Sequence, residues 1–318
     1  MATIKPQEIY LLERYTSLDY LGNLRDIWGA MISHLERCLD DFMADLPADY
    51  RKRQLQEQPD VVWGERVLPN FRKSFEGLCN GVVLRSQGDL AGLEYSHGPF
   101  NDFRGQVDFS SDWMKKNDEI AYSDLLNQSV LLAGNIIATI EAAWSPLDLT
   151  DNYSEQDRGP LHLPATWPAY RLDKTVSVES DDEIKHSGIY LPDTQDSCAQ
   201  FLCAKKRPAP QALAVIGTED LIVPGTDEKY GEESIEEEYD CVWTLVERAS
   251  DTGVTYTPPT LATKITHRLR AGDICPQTGI YLSPARIDAR RRFEQGEIMP
   301  DLESNYGETI WQWDVNQY

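Results

Sequence analysis

Apolar residues recur at steps of three and four positions over a long segment near the start of the chain. The members of this stripe are Leu21, Leu24, Trp28, Met31, Leu35, Leu39, Phe42 and Leu46. Such spacing places the side chains on one face of an α-helix. Ser17 or Asp19 can cap the start of this helix, and Pro47 stops it. The sequence therefore predicts a helix that runs to about Leu46.

Other segments of the first half have the same helical spacing. They predict a short helix from Gln7 to about Tyr15, a long helix between Glu65 and Leu84, and another from about Ile120 to Ala143. The piece from Arg85 to Asp118 is rich in glycine, serine and aromatic residues, and we expect it to be irregular. Three long amphipathic helices are typical of a helical bundle, which we place at residues 1–150.

The second half has a different sequence pattern, because helical periodicity ends and short runs of β-branched and aromatic residues follow. Prolines cluster at Pro160, Pro164 and Pro168, and we place the boundary between about Pro146 and Pro168. The predicted strands cover residues 174–178, 189–191, 213–216, 241–246 and 309–313. These patterns predict an α+β protein, with a helical domain at 1–150 and a β-rich domain at 151–318.

Two stretches of the β-rich half resemble each other. Ser187–Leu191 reads S-G-I-Y-L, and Thr278–Leu282 reads T-G-I-Y-L. Each is followed by an aromatic residue, Phe201 or Phe293, and later by a strand-like segment with a tryptophan, Trp243 or Trp311. The pattern predicts two copies of one small β unit, at about residues 165–250 and 258–318.

The first copy is longer than the second, and most of the excess lies in the segment from Gly217 to Asp240. This insertion is crowded with carboxylates. Our candidate partner-binding residues within it are Asp227, Glu228, Glu232, Glu233, Glu236, Glu237, Glu238 and Asp240. One interpretation is a solvated loop that self-repulsion holds away from the body. The other is an acidic arm that docks into a basic groove.

The net charge of the whole chain points to the same kind of partner. Lysine plus arginine number 30 against 53 aspartate plus glutamate, which gives a formal net charge of −23. Such a field repels phosphate backbones and anionic lipids, and it speeds encounter with a basic protein. We therefore expect a protein partner, with no direct nucleic acid and no membrane surface. Solubility alone is the other explanation of the charge.

The start of the chain lacks the apolar stretch of a secretory signal, and the most apolar segment, 129–144, is too short and polar to span a bilayer. The six cysteines include no C-x-x-C pair and are not spaced like a disulfide scaffold. We therefore expect reduced thiols and a cytoplasmic location.

Motifs of common enzymes are absent from the sequence. There is no phosphate-binding loop, no dinucleotide-binding glycine pattern, no H-E-x-x-H and no G-x-S-x-G. We therefore expect no catalytic residues, no cofactor and no enzyme activity. His34 and Cys38 stand four residues apart on a predicted helix, but with no third ligand nearby in sequence we expect no metal site. Arg290, Arg291 and Arg292 form a basic cluster, which we expect to pair with neighbouring carboxylates.

Two other functions stay open at this point. A carboxylate-dependent hydrolase needs only two or three acidic residues from distant segments, and this chain has many. An acidic adaptor protein with a constitutive host partner would have the same composition.

The last sixty residues carry an ordered motif. It comprises Asp273-Ile-Cys275-Pro-Gln-Thr-Gly279-Ile-Tyr281, then Phe293-Glu-Gln-Gly296-Glu-Ile-Met-Pro300, and finally Tyr306-Gly-Glu-Thr-Ile310-Trp-Gln-Trp313. This pattern resembles the C-terminal region of bacterial polymorphic-toxin immunity proteins, in the families catalogued as seventy-one and seventy-two.

The resemblance implies a protein that binds and neutralises a cognate toxin stoichiometrically. It implies, by analogy, delivery of that toxin by a type VI secretion system or a contact-dependent system. Because an immunity protein sits where its toxin acts, the missing secretory signal leads us to expect a toxin that acts in the cytoplasm. Toxins that act there are commonly nucleases with basic substrate grooves, for which a very acidic inhibitor is a suitable partner. The resemblance marks no binding residues.

Overall fold

The computed structural model describes residues 2–164, 166–222, 229–254, 268–283, 289–302 and 309–313. The chain forms two compact units, Met1–Thr255 and Tyr256–Tyr318. Helices occupy the first part of the first unit, and antiparallel strands follow. The predicted α+β fold class is confirmed.

The described part of the first unit contains six α-helices, of which those at 6–15, 18–44, 68–86 and 116–140 lie close to predicted positions, whereas those at 97–106 and 155–158 were not predicted. The six helices are α1 Pro6–Tyr15, α2 Leu18–Ala44, α3 Leu68–Ser86, α4 His97–Gln106, α5 Lys116–Ile140 and α6 Glu155–Arg158. Short 3₁₀ segments cover Tyr50–Lys52, Leu55–Glu57 and Leu90–Ser96, and a π-helical segment at Asp60–Val67 leads into α3. The Ser17 hydroxyl caps α2 by accepting the Tyr20 N–H at 3.2 Å.

The core of the helical part forms where α2 packs on α3 and α5. The predicted stripe of α2 supplies buried side chains from Leu21 to Leu35. Trp28 is fully buried, its indole Nε1 donates to the carbonyl oxygen of Phe71 at 2.9 Å, and the two rings contact each other. Burial of a tryptophan at this junction fixes the spacing of α2 and α3.

The expectation that residues 85–118 are irregular is wrong for much of the segment. A 3₁₀ helix begins at Leu90, capped by the Asp89 carboxylate, which accepts the Ala91 N–H at 2.9 Å, and α4 follows directly. Close packing on α3 stabilises this segment, because glycines on both sides let the backbones approach. Local composition alone did not indicate that tertiary contact.

The first sheet has the strand order β1-β6-β2-β3. Its strands are β1 Trp167–Glu179, β2 Gly188–Pro192, β3 Gln200–Leu202 and β6 Val242–Val254, all antiparallel to their neighbours. Ile189 and Leu191 of β2 belong to the helical core, whereas Tyr190 between them belongs to a second core with Trp243. Because side chains alternate between the two faces of a strand, β2 contributes to a core on each face of the sheet. One buried core thus spans the change from helices to strands, within a single compact unit.

The second unit has a sheet of the same topology. Its strands are β7 Arg268–Arg270, β8 Gly279–Leu282, β9 Arg290–Phe293 and β10 Ile310–Trp313, in the order β7-β10-β8-β9. In both sheets the last strand in sequence lies between the first and the second, and the third lies at the edge. The two predicted β units are confirmed as copies of one four-stranded arrangement.

Corresponding side chains make the same hydrogen bonds in the two copies. Tyr190 donates its hydroxyl to the carbonyl oxygen four residues earlier, at 2.7 Å, and Tyr281 does the same at 2.9 Å. The indole Nε1 of Trp243 donates to the carbonyl oxygen of Pro210 at 2.7 Å. Trp311 donates in the same way to Pro300 at 2.8 Å. The tryptophans are therefore equivalent anchors, as predicted.

One detail of the predicted alignment of the copies is wrong. Gly188 lies opposite Leu202, and Gly279 lies opposite Phe293, so Leu202 rather than Phe201 corresponds to Phe293. Phe201 belongs to the core shared with the helices. Because neighbouring residues of a strand point to opposite faces, a shift of one position changes the core that a side chain enters.

Among the described residues, no helix combines the length and the apolar character that crossing a bilayer requires.

Candidate functional site

The acidic insertion of the first copy forms a β-hairpin. Its strands are β4 Ala212–Ile222 and β5 Lys229–Tyr239, which make a two-stranded antiparallel sheet. Each strand has 11 residues, which gives the hairpin a length of roughly 35 Å. The insertion is therefore an ordered arm where it is described, and a loop interpretation does not hold for these residues.

The base of the hairpin is fastened to the first β unit. Ala212 and Ala214 are buried, and Ala212 belongs to the core around Trp243. Ser197 forms an antiparallel bridge with Ala214, and the Val215 N–H donates to the carbonyl oxygen of Asp196 at 3.1 Å. These contacts fix the direction in which the rest of the hairpin leaves the body.

The structure places the predicted site residues as follows. Glu232, Glu233, Glu237 and Glu238 are exposed on β5, and Asp240 is exposed just after it. Glu236 is half-buried. Asp227 and Glu228 lie outside the described residues.

The register of the hairpin sets carboxylates directly opposite each other. Asp220 faces Glu232, and Glu219 faces Glu233. Like charges at opposed positions destabilise an antiparallel pair. Lys229 relieves the first of these pairs, since its Nζ lies 2.6 Å from Asp220 and also contacts Glu232. These two carboxylates raise the pKa of the Lys229 ammonium, chiefly through the hydrogen bond to Asp220. No second cation is present on the described part of either strand.

Glu236 differs from the other predicted site residues. Its Oε2 accepts a hydrogen bond from the Ser145 hydroxyl at 3.1 Å, and Ser145 lies just after α5. This contact ties the hairpin to the helical part of the same unit. Glu236 therefore positions the hairpin. Among the described residues, the exposed carboxylates make contacts only with nearby side chains of the hairpin and its base, Glu232 with Lys229, Glu237 with the Tyr239 hydroxyl and Asp240 with the Gln211 amide, and they keep their solvent-facing sides.

Apolar side chains lie among these carboxylates, and the sequence argument did not identify them. Ile216 and Ile222 of β4 are 55% and 50% exposed, and Ile235 and Tyr239 of β5 are each 39% exposed. Exposed aliphatic and aromatic groups beside charges are typical of protein-binding surfaces. The signal in the sequence was the presence of isoleucines within a run dominated by glutamate.

The structure also contains a cleft with carboxylates that bears on the hydrolase alternative. A cavity of about 540 Å³ beside the first β unit is lined by residues that include Glu179, Asp182, Glu183 and His186. All four of these side chains are solvent-exposed. Catalysis by carboxylates usually uses groups held in a water-excluded environment, which this cleft does not provide.

The basic cluster of the second unit pairs with carboxylates, as the sequence predicts. Arg291 lies 3.1 Å from Glu297, and Arg292 lies 3.7 Å from Glu294. Arg291 also stacks on Phe293, with 4.2 Å between the guanidinium carbon and the ring centroid. Arg291 and Arg292 are therefore held by ion pairs within the second unit, and Arg291 also by stacking on an aromatic ring.

All six cysteines are free thiols. Cys38 and His34 of α2 approach Asp118 of α5, a residue that sequence spacing could not bring to them.

In comparisons with known proteins, the chain matches no protein-family model, and neither the curated proteins nor the solved structures gave a match.

Proposed function

We propose that this chain is an immunity protein, which binds a cognate antibacterial toxin stoichiometrically and blocks it. We further propose that the toxin is a nuclease with a basic substrate groove, delivered by a type VI secretion system, and that the two proteins meet in the cytoplasm. The protein is not an enzyme in this proposal.

The acidic hairpin carries the proposal. It extends from one copy of a repeated unit, and two pairs of its carboxylates, Asp220 with Glu232 and Glu219 with Glu233, face each other, with Lys229 bound at the first pair. Repulsion between opposed carboxylates costs free energy that a basic partner can recover, because it brings cations between them. The isoleucines on the same arm supply the apolar area that binding also requires.

Two features of the sequence support the same function. The ordered motif of the last sixty residues resembles that of the immunity families named above. The net charge of −23 favours rapid association with a basic protein, and rapid capture is what protection from a nuclease requires.

The test is co-purification of this chain with the product of the neighbouring upstream gene, followed by expression of both in a toxicity assay. We expect a stable complex and rescue of growth. Failure of both the complex and the rescue would contradict the proposal.

The alternative function is a carboxylate-dependent hydrolase, for which the cleft lined by Glu179, Asp182, Glu183 and His186 is the candidate site, although the solvent exposure of all four side chains argues against it. The purified protein would then turn over nucleic acid or glycan in the presence of magnesium, manganese or calcium. Replacement of Glu183 by glutamine should remove that activity, and turnover that survives the replacement excludes this cleft.

A further inference from the structure

His34, Cys38 and Asp118 bring three different metal-binding groups together in the helical part. One ligand atom from each lies within 4.8 Å of the other two. His34 and Cys38 stand on one face of α2 because residues four apart on a helix are neighbours. Asp118 comes from the first turn of α5, which packs against α2.

The distance between the sulfur and the nitrogen suits a tetrahedral ion. The Cys38 Sγ lies 3.4 Å from the His34 Nε2. Zinc binds sulfur at about 2.3 Å and imidazole nitrogen at about 2.0 Å, so a tetrahedral angle places the two ligand atoms about 3.5 Å apart. The distance between the two ligand atoms is therefore compatible with such an ion.

The third residue offers oxygen on the same side. The backbone carbonyl oxygen of Asp118 lies 2.9 Å from the His34 Nε2, and one of its carboxylate oxygens belongs to the cluster. A carbonyl oxygen only accepts, so this nitrogen carries a hydrogen when no ion is bound. An ion about 2.0 Å from the nitrogen on that line would overlap the carbonyl oxygen, so ion binding replaces the hydrogen and requires the imidazole to turn towards the Cys38 Sγ and the Asp118 carboxylate.

Burial of the cluster also suits an ion. Cys38 is 8% exposed, while His34 and Asp118 are half-buried, which leaves one side open to water. Imidazole with thiolate selects borderline-soft ions such as zinc over magnesium or calcium. A carboxylate as the third ligand and water as the fourth complete a common coordination number.

We propose that His34, Cys38 and Asp118 form a binding site for a zinc-class divalent ion, which joins α2 to the start of α5. The site is independent of the acidic hairpin and of the proposed toxin. An ion that binds only the folded chain stabilises it by mass action.

The experiment uses the full chain, freed of metal with a chelator under reducing conditions. Zinc affinity is measured by competition with a chromophoric chelator, and cobalt binding is followed by its thiolate charge-transfer absorption. We expect one ion per chain, a cobalt–thiolate band, and a higher unfolding temperature with zinc.

The variants are His34→Gln, Cys38→Ala and the control Cys79→Ala, which removes a half-buried thiol of α3 outside the cluster. Loss of an outer partner of a metal ligand already weakens affinity about 10–100-fold, so loss of a ligand should weaken it at least as much. His34→Gln keeps a side chain that can donate to the Asp118 carbonyl oxygen, which guards against a folding defect. Absence of stoichiometric zinc, or equal affinity in His34→Gln and the control, overturns the proposal.

Discussion

Glu8 is buried, which is unusual for a glutamate. It lies on α1, is 2% exposed, and its Oε2 has no hydrogen-bond partner among the described residues. Burial raises the pKa of this carboxyl to about 7, against a hydrogen bond from the Ala199 backbone that lowers it. An ionised carboxylate at this position is costly, and protonation removes most of the cost.

We predict that Glu8→Gln stabilises the fold in a pH-dependent manner. The folded pKa lies above the unfolded value of 4.5, so wild-type stability is full below about pH 4.5 and falls as pH rises to about 7. The variant should gain up to about 3 kcal/mol at pH 8 and much less at pH 4.5. Urea unfolding at both pH values measures this gain. The exposed control Glu57→Gln should change little, and an equal effect of Glu8→Gln at both pH values would contradict the prediction.

Gly81 is a second residue whose identity is set by packing. A Cβ at this position of α3 would lie 2.5 Å from the carbonyl oxygen of Gly92 and 3.1 Å from Tyr95. Gly92 belongs to the 3₁₀ segment Leu90–Ser96, so a side chain at Gly81 would force the backbone of that segment or of α3 to move.

We predict that Gly81→Ala destabilises the protein by about 1–3 kcal/mol, the usual cost of overpacking. Gly22→Ala is the matched control, since nothing lies within 4 Å of a Cβ there and alanine favours a helix by up to about 1 kcal/mol. Thermal unfolding of the two variants should shift in opposite directions. Equal shifts would show that the contact between α3 and the 3₁₀ segment is loose.

At the scale of elements, the acidic hairpin is the part of the fold that distinguishes the two β units. Its base is held by Ala212, Ala214 and the bridge to Ser197, and its outer part is exposed. A two-stranded hairpin alone is marginally stable, so these base contacts hold it in place.

We predict that the outer hairpin can be removed without loss of the fold. Gly217 and Ile235 are register partners, so an Asn-Gly turn can replace residues 218–234 between them. The midpoint of thermal unfolding should stay near that of the wild type, while rescue from the toxin is lost. Rescue by the shortened chain would remove the outer hairpin from the proposed interface.

We predict that neutralising exposed carboxylates of β5 slows association with the partner. The variant carries Glu232→Gln, Glu233→Gln, Glu237→Gln and Glu238→Gln, and it keeps Glu236 because of its hydrogen bond to Ser145. The association rate should fall and become less dependent on salt, because less of the attractive field remains. Stopped-flow mixing at two salt concentrations measures both effects.

The control for this variant removes the same number of exposed carboxylates from the helical part. It carries Asp45→Asn, Glu57→Gln, Glu76→Gln and Asp108→Asn. Matched effects of the two variants would mean that net charge, and not the hairpin, governs the encounter.

At the scale of the whole molecule, the chain has more than one core. Trp311 is 1% exposed in the second unit and packs edge-to-face on Phe293, with ring centroids 4.9 Å apart. Cys275, Tyr281, Ala289 and Met299 are the other buried side chains of that core among the described residues. Trp28 and Trp243 anchor cores of the first unit.

We predict that Trp311→Ala destabilises the second unit by about 3–5 kcal/mol, the range for truncation of a buried tryptophan. Limited proteolysis should then cut within residues 268–313, while the unfolding transition of residues 1–255 keeps its midpoint. Trp311→Phe, which retains much of the ring, should have a smaller effect. A single shifted transition for the entire chain would contradict the view that each unit depends on its own core.

Sequence alone determined α1, α2, α3 and α5, the strands that carry the G-I-Y-L runs and the tryptophans, and the duplication, whereas it missed α4 and the hairpin strand β5. The stripe from Leu21 to Leu46 and the shared G-I-Y-L runs are local patterns, and a local pattern fixes which face of an element is apolar. The tryptophans of the two copies were matched correctly because each anchors the same strand.

Only the tertiary structure decided what these elements place together. The register of the hairpin sets Asp220 against Glu232, α5 brings Asp118 to His34 and Cys38, and packing of α1 buries Glu8. Each of these outcomes joins residues distant in sequence or depends on a shift of one position in pairing. Composition and periodicity carry no information about such pairings, because they arise from the packing of complete elements against one another.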